Sequence, residues 1–220
     1  MTGVPEGTTV TVVIPCLDEA GALPGVLAAV PPGYRVLVVD NGSRDGTADV
    51  ARLHGAAVVT EPRRGYGAAV QAGVAAAPEG IVGFLDGDGS MDPADLPGLV
   101  DALDDADLVV GRRIAVEPGV WPLHARLGNR LLAMRLRRRY RVDVHDIGAM
   151  RVVRRSTLLA LGPLHPRFGY PLDLLVRAAA AGLTVVERDI DYRNRTHGRS
   201  KVSGSWRGTA ATVRDFWAVR

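Results

Sequence analysis

Asp86 and Asp88 stand two residues apart, framed by Gly87, Gly89 and Ser90, directly after an apolar run at residues 81–85. Two carboxylates at that spacing, just past an extended segment, can turn toward one ligand. Their hard oxygen donors suit Mg2+ or Mn2+, with the remaining coordination positions left to phosphate oxygens and water. A diphosphate leaving group calls for such a cation, which neutralises the charge that develops as the bond to it breaks. A plain turn is the competing reading, because Asp and Gly both favour turns. A calcium loop is disfavoured, since Met91 stands where such a loop requires glycine.

Three further polar clusters follow short apolar runs. Residues 10–14 lead to Pro15, Cys16, Leu17, Asp18 and Glu19, and residues 35–39 to Asp40-Asn41-Gly42-Ser43-Arg44-Asp45-Gly46-Thr47. Residues 56–60 lead, a little further on, to Gly65, Tyr66 and Gly67. Open parallel sheets bind ligands beyond the carboxyl ends of their strands, so acidic strand ends sharing one crevice define a candidate site. Near the other end, Lys201 is the single lysine among 27 basic residues. A compact ammonium with rotatable donors suits a phosphate clamp, although one lysine can also fall there by accident.

The elements that must position these groups follow from periodicity. Residues 10–14, 35–39, 56–60, 81–85 and 107–110 read as buried strands, and 19–30, 45–54, 67–77 and 92–103 as helices. That alternation implies an α/β fold with a mostly parallel central sheet flanked by helices. It breaks down after Gly111. The chain is therefore expected to form a single domain over 1–220, with a nucleotide-binding half at about 1–111 and an integrated half at about 112–220. Within the second half, residues 123–140 read as a helix placing Leu127, Leu131, Met134 and Leu136 among Arg126, Arg130, Arg135, Arg137, Arg138 and Arg139. Near an anionic membrane such cations contribute about 1 kcal/mol each; a solvated basic face is the other reading.

Composition narrows the function classes. The chain has 220 residues, 47% hydrophobic and 23% charged, as one globular domain does. Its net charge of +3 comes with only 5% aromatics and no zinc-finger or RNA-binding signature, so nucleic acid is not an expected partner. No run approaches the ~20 apolar residues of a membrane span. Residues 1–9 lack the order of a secretory leader, and Cys16 alone cannot form an internal disulfide. A cytoplasmic protein is expected, with the inner face of the membrane open as a peripheral site. The Gly-x-Gly-x-x-Gly slot of a dinucleotide-binding dehydrogenase holds residues 15–19 here, and no Gly-Lys-Ser/Thr phosphate loop is present.

The segments 15–19, 40–47 and Asp86-Gly87-Asp88 resemble the signature motifs of family 2 glycosyltransferases with the GT-A fold. Arg195-Thr196-His197-Gly198-Arg199-Ser200-Lys201 resembles the Arg-x-x-Gly-x-Ser-Lys segment of their dolichyl-phosphate mannose synthase-like branch. The resemblance implies a metal-dependent, inverting transfer of a sugar from a UDP- or GDP-linked donor, with a polyprenyl phosphate among the acceptors. It implies that Asp40 accepts a hydrogen bond from the nucleobase while Pro15 and Glu19 shape the base and ribose pocket, with Asp18 and Gly67 also on the donor side. Asp86 and Asp88 would hold the metal (Mg2+ or Mn2+) and the diphosphate. Arg195, Ser200 and Lys201 would close over that diphosphate on a mobile loop near 193–203.

The acceptor side is less determined. Asp173 would act as general base if the acceptor is a hydroxyl and would be dispensable if it is a phosphate. Arg113 would meet an acceptor anion, or pair with Asp107 or Glu117. Several positions depart from the family pattern: Asn41 stands where aspartate is common, Tyr66 occupies a Gly-Lys-Gly slot, and Trp121, Pro122, His124 and Ala125 replace arginines and a serine. The 146–151 segment is one residue short. A sugar-phosphate nucleotidyltransferase is a rival, but it should carry a Gly-rich Arg/Lys loop after the first strand. A silent nucleotide-sugar-binding module is the other.

Overall fold

A computed structural model describes residues 7–121 and 123–197. Seven strands form one sheet: β1 Val10–Cys16, β2 Arg35–Asp40, β3 Ala57–Thr60, β4 Ile81–Phe84, β5 Leu108–Ala115, β6 Arg151–Arg154 and β7 Val185–Tyr192. Their order is β3-β2-β1-β4-β6-β5-β7. Only β6 runs against its neighbours, β4 and β5; the other pairings are parallel. The sheet is thus continuous across both halves of the chain, joined where β4 meets β6.

Strand side chains alternate between two apolar layers. Val13, Val82, Phe84, Leu108 and Val110 point into one, against α3 (Tyr66–Ala76), α7 (Tyr170–Ala180) and Leu136 of α5 (Leu123–Tyr140). Val12, Ile14, Ile81, Val109 and Val152 point into the other, against α1 (Leu23–Ala29), α2 (Thr47–Leu53) and α4 (Leu96–Asp101). Burying each such side chain contributes about 1.5–3 kcal/mol. A short helix, α6 (Arg155–Ala160), follows β6 directly.

Three helices differ from their expected spans. The 19–30 helix starts only at Leu23, because Pro24 has no N–H to give to the Ala20 carbonyl and is tolerated only in a first turn; residues 19–22 form a separate turn closed on the Glu19 carbonyl. Helix α2 starts at Thr47 rather than residue 45, after Gly46 at φ 84°. The 92–103 helix is divided into 3-10 turns at Pro93–Asp95 and Ala102–Asp104 around α4. Helix α5 covers the full span its periodicity indicates.

Candidate functional site

The carboxyl ends of β1 and β2 are stitched into one platform. Asp18 adopts φ 53°, which a non-glycine residue does only when held. Its N–H donates to Ser43 Oγ at 2.9 Å and its Oδ1 accepts from the Arg44 N–H at 2.7 Å. The Glu19 N–H donates to Thr47 Oγ1, and the Ala20 N–H to Asp45 Oδ2. Desolvation pushes the Asp45 carboxyl up, but bonds from the Thr47 hydroxyl and the Ala20 and Thr47 amides outweigh it and hold the group below its ordinary range. Asp40 is buried, and its Oδ1 accepts from the Ser43 N–H at 3.1 Å. Pro15, half-buried in β1, lies opposite Val39 in the parallel register.

Asn41 links this platform to the third strand end. Its Nδ2 donates to the carbonyls of Glu61 and Arg63 at 2.8 and 2.9 Å, and its Oδ1 accepts from the Gly65 N–H at 2.8 Å. An aspartate would lose both donated bonds and set a charge against two carbonyl oxygens. The departure at this position therefore has a structural cause. Gly67 is required by close packing, because a Cβ there would meet the Pro166 carbonyl carbon at 2.9 Å.

Past β4, the acidic pair is folded tightly onto β1: a Cβ on Gly87 would meet Cys16 Sγ at 2.7 Å. Asp88 is 2% exposed; its Oδ1 accepts from the Ser90 N–H at 2.9 Å, and its Oδ2 lies 2.8 Å from Arg195 Nη2. Burial first, and then the neighbouring Asp88, push the Asp86 carboxyl up to about 7, against the pull of Arg195 and Arg113. Desolvation and the second carboxylate thus outweigh the two arginines at Asp86. Two hard oxygen donors held this close together fit a divalent cation. Among the described residues no group of three or more His, Cys, Asp or Glu could hold a metal. A cation here would accordingly draw its other ligands from phosphate and water.

Arg195 is delivered by the chain leaving β7. The Arg193 N–H donates to Ser90 O and the Thr196 N–H to Asp88 O, at 2.9 and 3.2 Å, and Met91 bridges Tyr192. The near end of the segment expected to be mobile is thus hydrogen-bonded along the acidic loop. Ser200 and Lys201 lie outside the described residues.

Arg113 pairs with neither Asp107 nor Glu117. Its Nε and Nη2 form a fork on Asp146, both bonds 2.8 Å, and its backbone N–H adds a third at 2.9 Å. Trp121 and Tyr192 cover the guanidinium, with ring centroids at 4.2 and 5.2 Å. Asp146 is placed by Glu187, whose Oε1 accepts from the His145 and Asp146 amides. Asp107 instead receives the Thr184 N–H.

Asp173 is engaged by the loop before α7 and by α7 itself. Its Oδ2 accepts from the His165 N–H at 2.8 Å and its Oδ1 from Arg177 Nε at 3.0 Å. These bonds fix the 165–167 loop, whose Pro166 carbonyl receives the Ala68 N–H at the start of α3.

The last residue of the 146–151 segment has no role in the sequence reading. Arg151 is 1% exposed, and its Nε and Nη2 have no hydrogen-bond partner among the described residues. Burial lowers its pKa first of all, while Tyr66, Tyr170 and Asp146 nearby oppose that. The Tyr170 hydroxyl beside it is likewise unpartnered, and burial and then Asp86 push the Tyr66 hydroxyl well above its ordinary value. The available signal was an arginine inside an otherwise apolar strand, between Met150 and Val152.

A parallel-sheet crevice with an acidic pair beyond β4 and stitched loops beyond β1 and β2 defines a GT-A glycosyltransferase. The family model for glycosyl transferase family 2 matches residues 11–162. The chain belongs to that family, in its dolichyl-phosphate mannose synthase-like branch. It is 60% identical over 214 residues, 97% of this chain and 98% of the relative, to an uncharacterised glycosyltransferase of Mycobacterium tuberculosis. It is 33% identical over 231 residues to the polyprenol monophosphomannose synthase of Mycolicibacterium smegmatis, covering 95% and 86% of the two chains. Among solved structures, glucosyl-3-phosphoglycerate synthase of M. tuberculosis with Mn2+, UDP and glucosyl-3-phosphoglycerate superposes with TM-score 0.75. The identity is 26%, and the match covers 97% of this chain and 78% of that one. Among the described residues, no helix is long and apolar enough to cross a membrane.

Proposed function

We propose that this glycosyltransferase moves a hexose from a UDP- or GDP-linked donor to a polyprenyl phosphate at the cytoplasmic face of a membrane, with inversion at the anomeric carbon. The observation that carries the reading is the Asp86-x-Asp88 pair, Asp88 buried and Asp86 half-buried, with Arg195 and Arg113 beside it. The relatives that act on polyprenyl phosphates support the acceptor class.

In this reading Pro15, Asp18, Glu19 and Asp40 line the base and ribose side, with Gly67 keeping α3 close beneath it. Asp86 and Asp88 would hold Mg2+ or Mn2+, which, when bound, supplies neutralisation of the diphosphate leaving group. Arg195 faces the diphosphate, joined by Ser200 and Lys201. An acceptor phosphate oxygen bonds to the anomeric carbon as the bond from that carbon to the diphosphate breaks, the electron pair leaving with the diphosphate. The attacking oxygen is already ionised, so no proton is removed. Asp173, engaged by His165 and Arg177, is then a positioning residue for the 165–167 loop. Arg113, oriented by Asp146, meets the acceptor anion.

The test is incubation of purified protein with radiolabelled GDP-mannose or UDP-glucose, a polyprenyl phosphate and Mn2+. The expected product is an organic-extractable, mild-acid-labile hexosyl phosphate lipid, formed with release of nucleoside diphosphate and lost on chelation. Pyrophosphate release from a nucleoside triphosphate would favour the nucleotidyltransferase instead. Failure to turn over any donor would favour the silent module.

A further inference from the structure

Helix α5 buries one side against the protein through Ala133 and Leu136, each 1% exposed. The Asn129 side chain adds bonds to the Ile147 N–H and the His145 carbonyl. Its opposite side is apolar as well: Leu123, Leu127 and Leu131 are 80, 60 and 53% exposed. Spaced four apart, they form one stripe along the helix. At 100° per residue, Arg126, Arg130 and Arg137 fall along one flank of that stripe and Arg135 and Arg139 along the other, while Arg138 continues the line of the stripe beyond Leu131. The helix carries these six arginines and no acidic residue, while the whole chain nets only +3, so the rest of the molecule is net negative. Ile114 and Val116, at the end of the strand that leads into α5, are 43 and 44% exposed.

We infer that α5 is a membrane-docking helix that lies in the interface of an anionic bilayer, its Leu123-Leu127-Leu131 stripe among the acyl chains and its flanking arginines on the phosphates. The charge pattern selects this occupant. A second copy meeting this face about a two-fold axis would set the same arginines against each other. A nucleic acid would satisfy the arginines and leave the leucines in water. An apolar stripe with cationic flanks on a helix too polar to insert is what an interfacial helix requires. The purpose of docking rests on the lipid-phosphate acceptor proposed above, whereas the inference itself stands on the helix.

The experiment is co-sedimentation of the full chain with vesicles of phosphatidylglycerol and phosphatidylcholine, or of phosphatidylcholine alone, with no polyprenyl phosphate present. Binding to the anionic vesicles is expected, at least about tenfold tighter than to neutral ones and weakened by salt. A Leu123→Ser/Leu127→Ser/Leu131→Ser variant should lose about tenfold or more in vesicle affinity at an unchanged melting temperature, since all three side chains are exposed. Arg126→Gln/Arg130→Gln should lose the preference for anionic vesicles. No sedimentation of the wild type, or equal sedimentation of the leucine variant, overturns the inference. So does a wild-type dimer that the leucine variant converts to monomer. Donor-induced thermal shift and transfer to a short-chain, water-soluble polyprenyl phosphate should be unaffected in the leucine variant. Docking without transfer would sink the proposed function and leave the helix assignment standing; transfer without docking would do the reverse.

Discussion

Arg195 closes to 2.8 Å on Asp88 Oδ2, so a cation from the chain just after β7 rests on the carboxylate pair at the end of β4. That contact couples the last strand to the candidate metal site. It also lowers the Asp86 pKa that burial and Asp88 raise. In the proposed reading Arg195 meets the donor diphosphate, and glutamine in its place removes a charge-assisted bond to the donor of about 1.5–3 kcal/mol. The donor KM is therefore expected to rise by about 10- to 100-fold, and the free protein, which loses the contact with Asp88, to melt somewhat lower. Steady-state kinetics against a soluble acceptor would check this, and an unchanged donor KM would remove Arg195 from the donor site.

The raised Asp86 pKa makes a claim about pH. A carboxyl whose folded pKa lies above its unfolded one holds its proton more tightly when folded, so stability falls as pH rises from about 4 toward 7. Asp86→Asn removes that penalty. It is expected to stabilise the metal-free protein by up to ~4 kcal/mol at pH 8 and by nothing at pH 3. In the wild type, Mn2+ competes with the proton, so Mn2+ affinity should fall up to tenfold per unit below pH 7. Urea melts at the two pH values and paramagnetic titration of Mn2+ read these quantities separately.

Arg113 and Arg151 make contrasting cases. Arg113→Lys keeps the charge but loses the fork on Asp146 and the stacking on Trp121. It should raise the acceptor KM at least about tenfold and leave the donor-induced thermal shift intact. Were the donor shift to vanish as well, Arg113 would belong to the donor side or to the fold.

Arg151 is buried with two nitrogens unpartnered. Replacing a buried charge by an apolar side chain of similar volume is often neutral or stabilising by ~1–4 kcal/mol. Arg151→Met is therefore expected to be no less stable than the wild type in urea. A loss of several kcal/mol would mean that the guanidinium supports the fold.

The pattern of strands and the acidic strand ends were legible because both are local: runs of β-branched residues mark buried strands, and polar residues mark where each one stops. Long-range bonds were not. The spacing at 19–30 gives no sign that Ser43, Thr47 and Asp45 reach across the platform to take the N–H groups of residues 18–20. Arg113 has acids near it in sequence, but its partner, Asp146, comes from the loop before β6, which pairs antiparallel with β5. No spacing rule encodes that neighbour. Arg151 ends the 146–151 segment of the family pattern, but nothing in that pattern tells that its side chain turns into the core.

Asn41 tests this distinction most directly. By family pattern the residue invites replacement with aspartate, which would extend the acidic run from Asp40. By structure it is a pin: two donated bonds and one accepted bond hold the 61–65 loop to the end of β2, in a buried setting. Asn41→Asp loses both donations and leaves the Glu61 and Arg63 carbonyls facing a carboxylate, at about 1–3 kcal/mol for each group left unsatisfied. The variant is expected to melt several degrees lower, with weaker donor binding, because the same loop carries Gly65 to the start of α3. If Asn41→Asp instead keeps its melting temperature and binds donor more tightly, the amide is not structural, and position 41 reads the nucleotide directly.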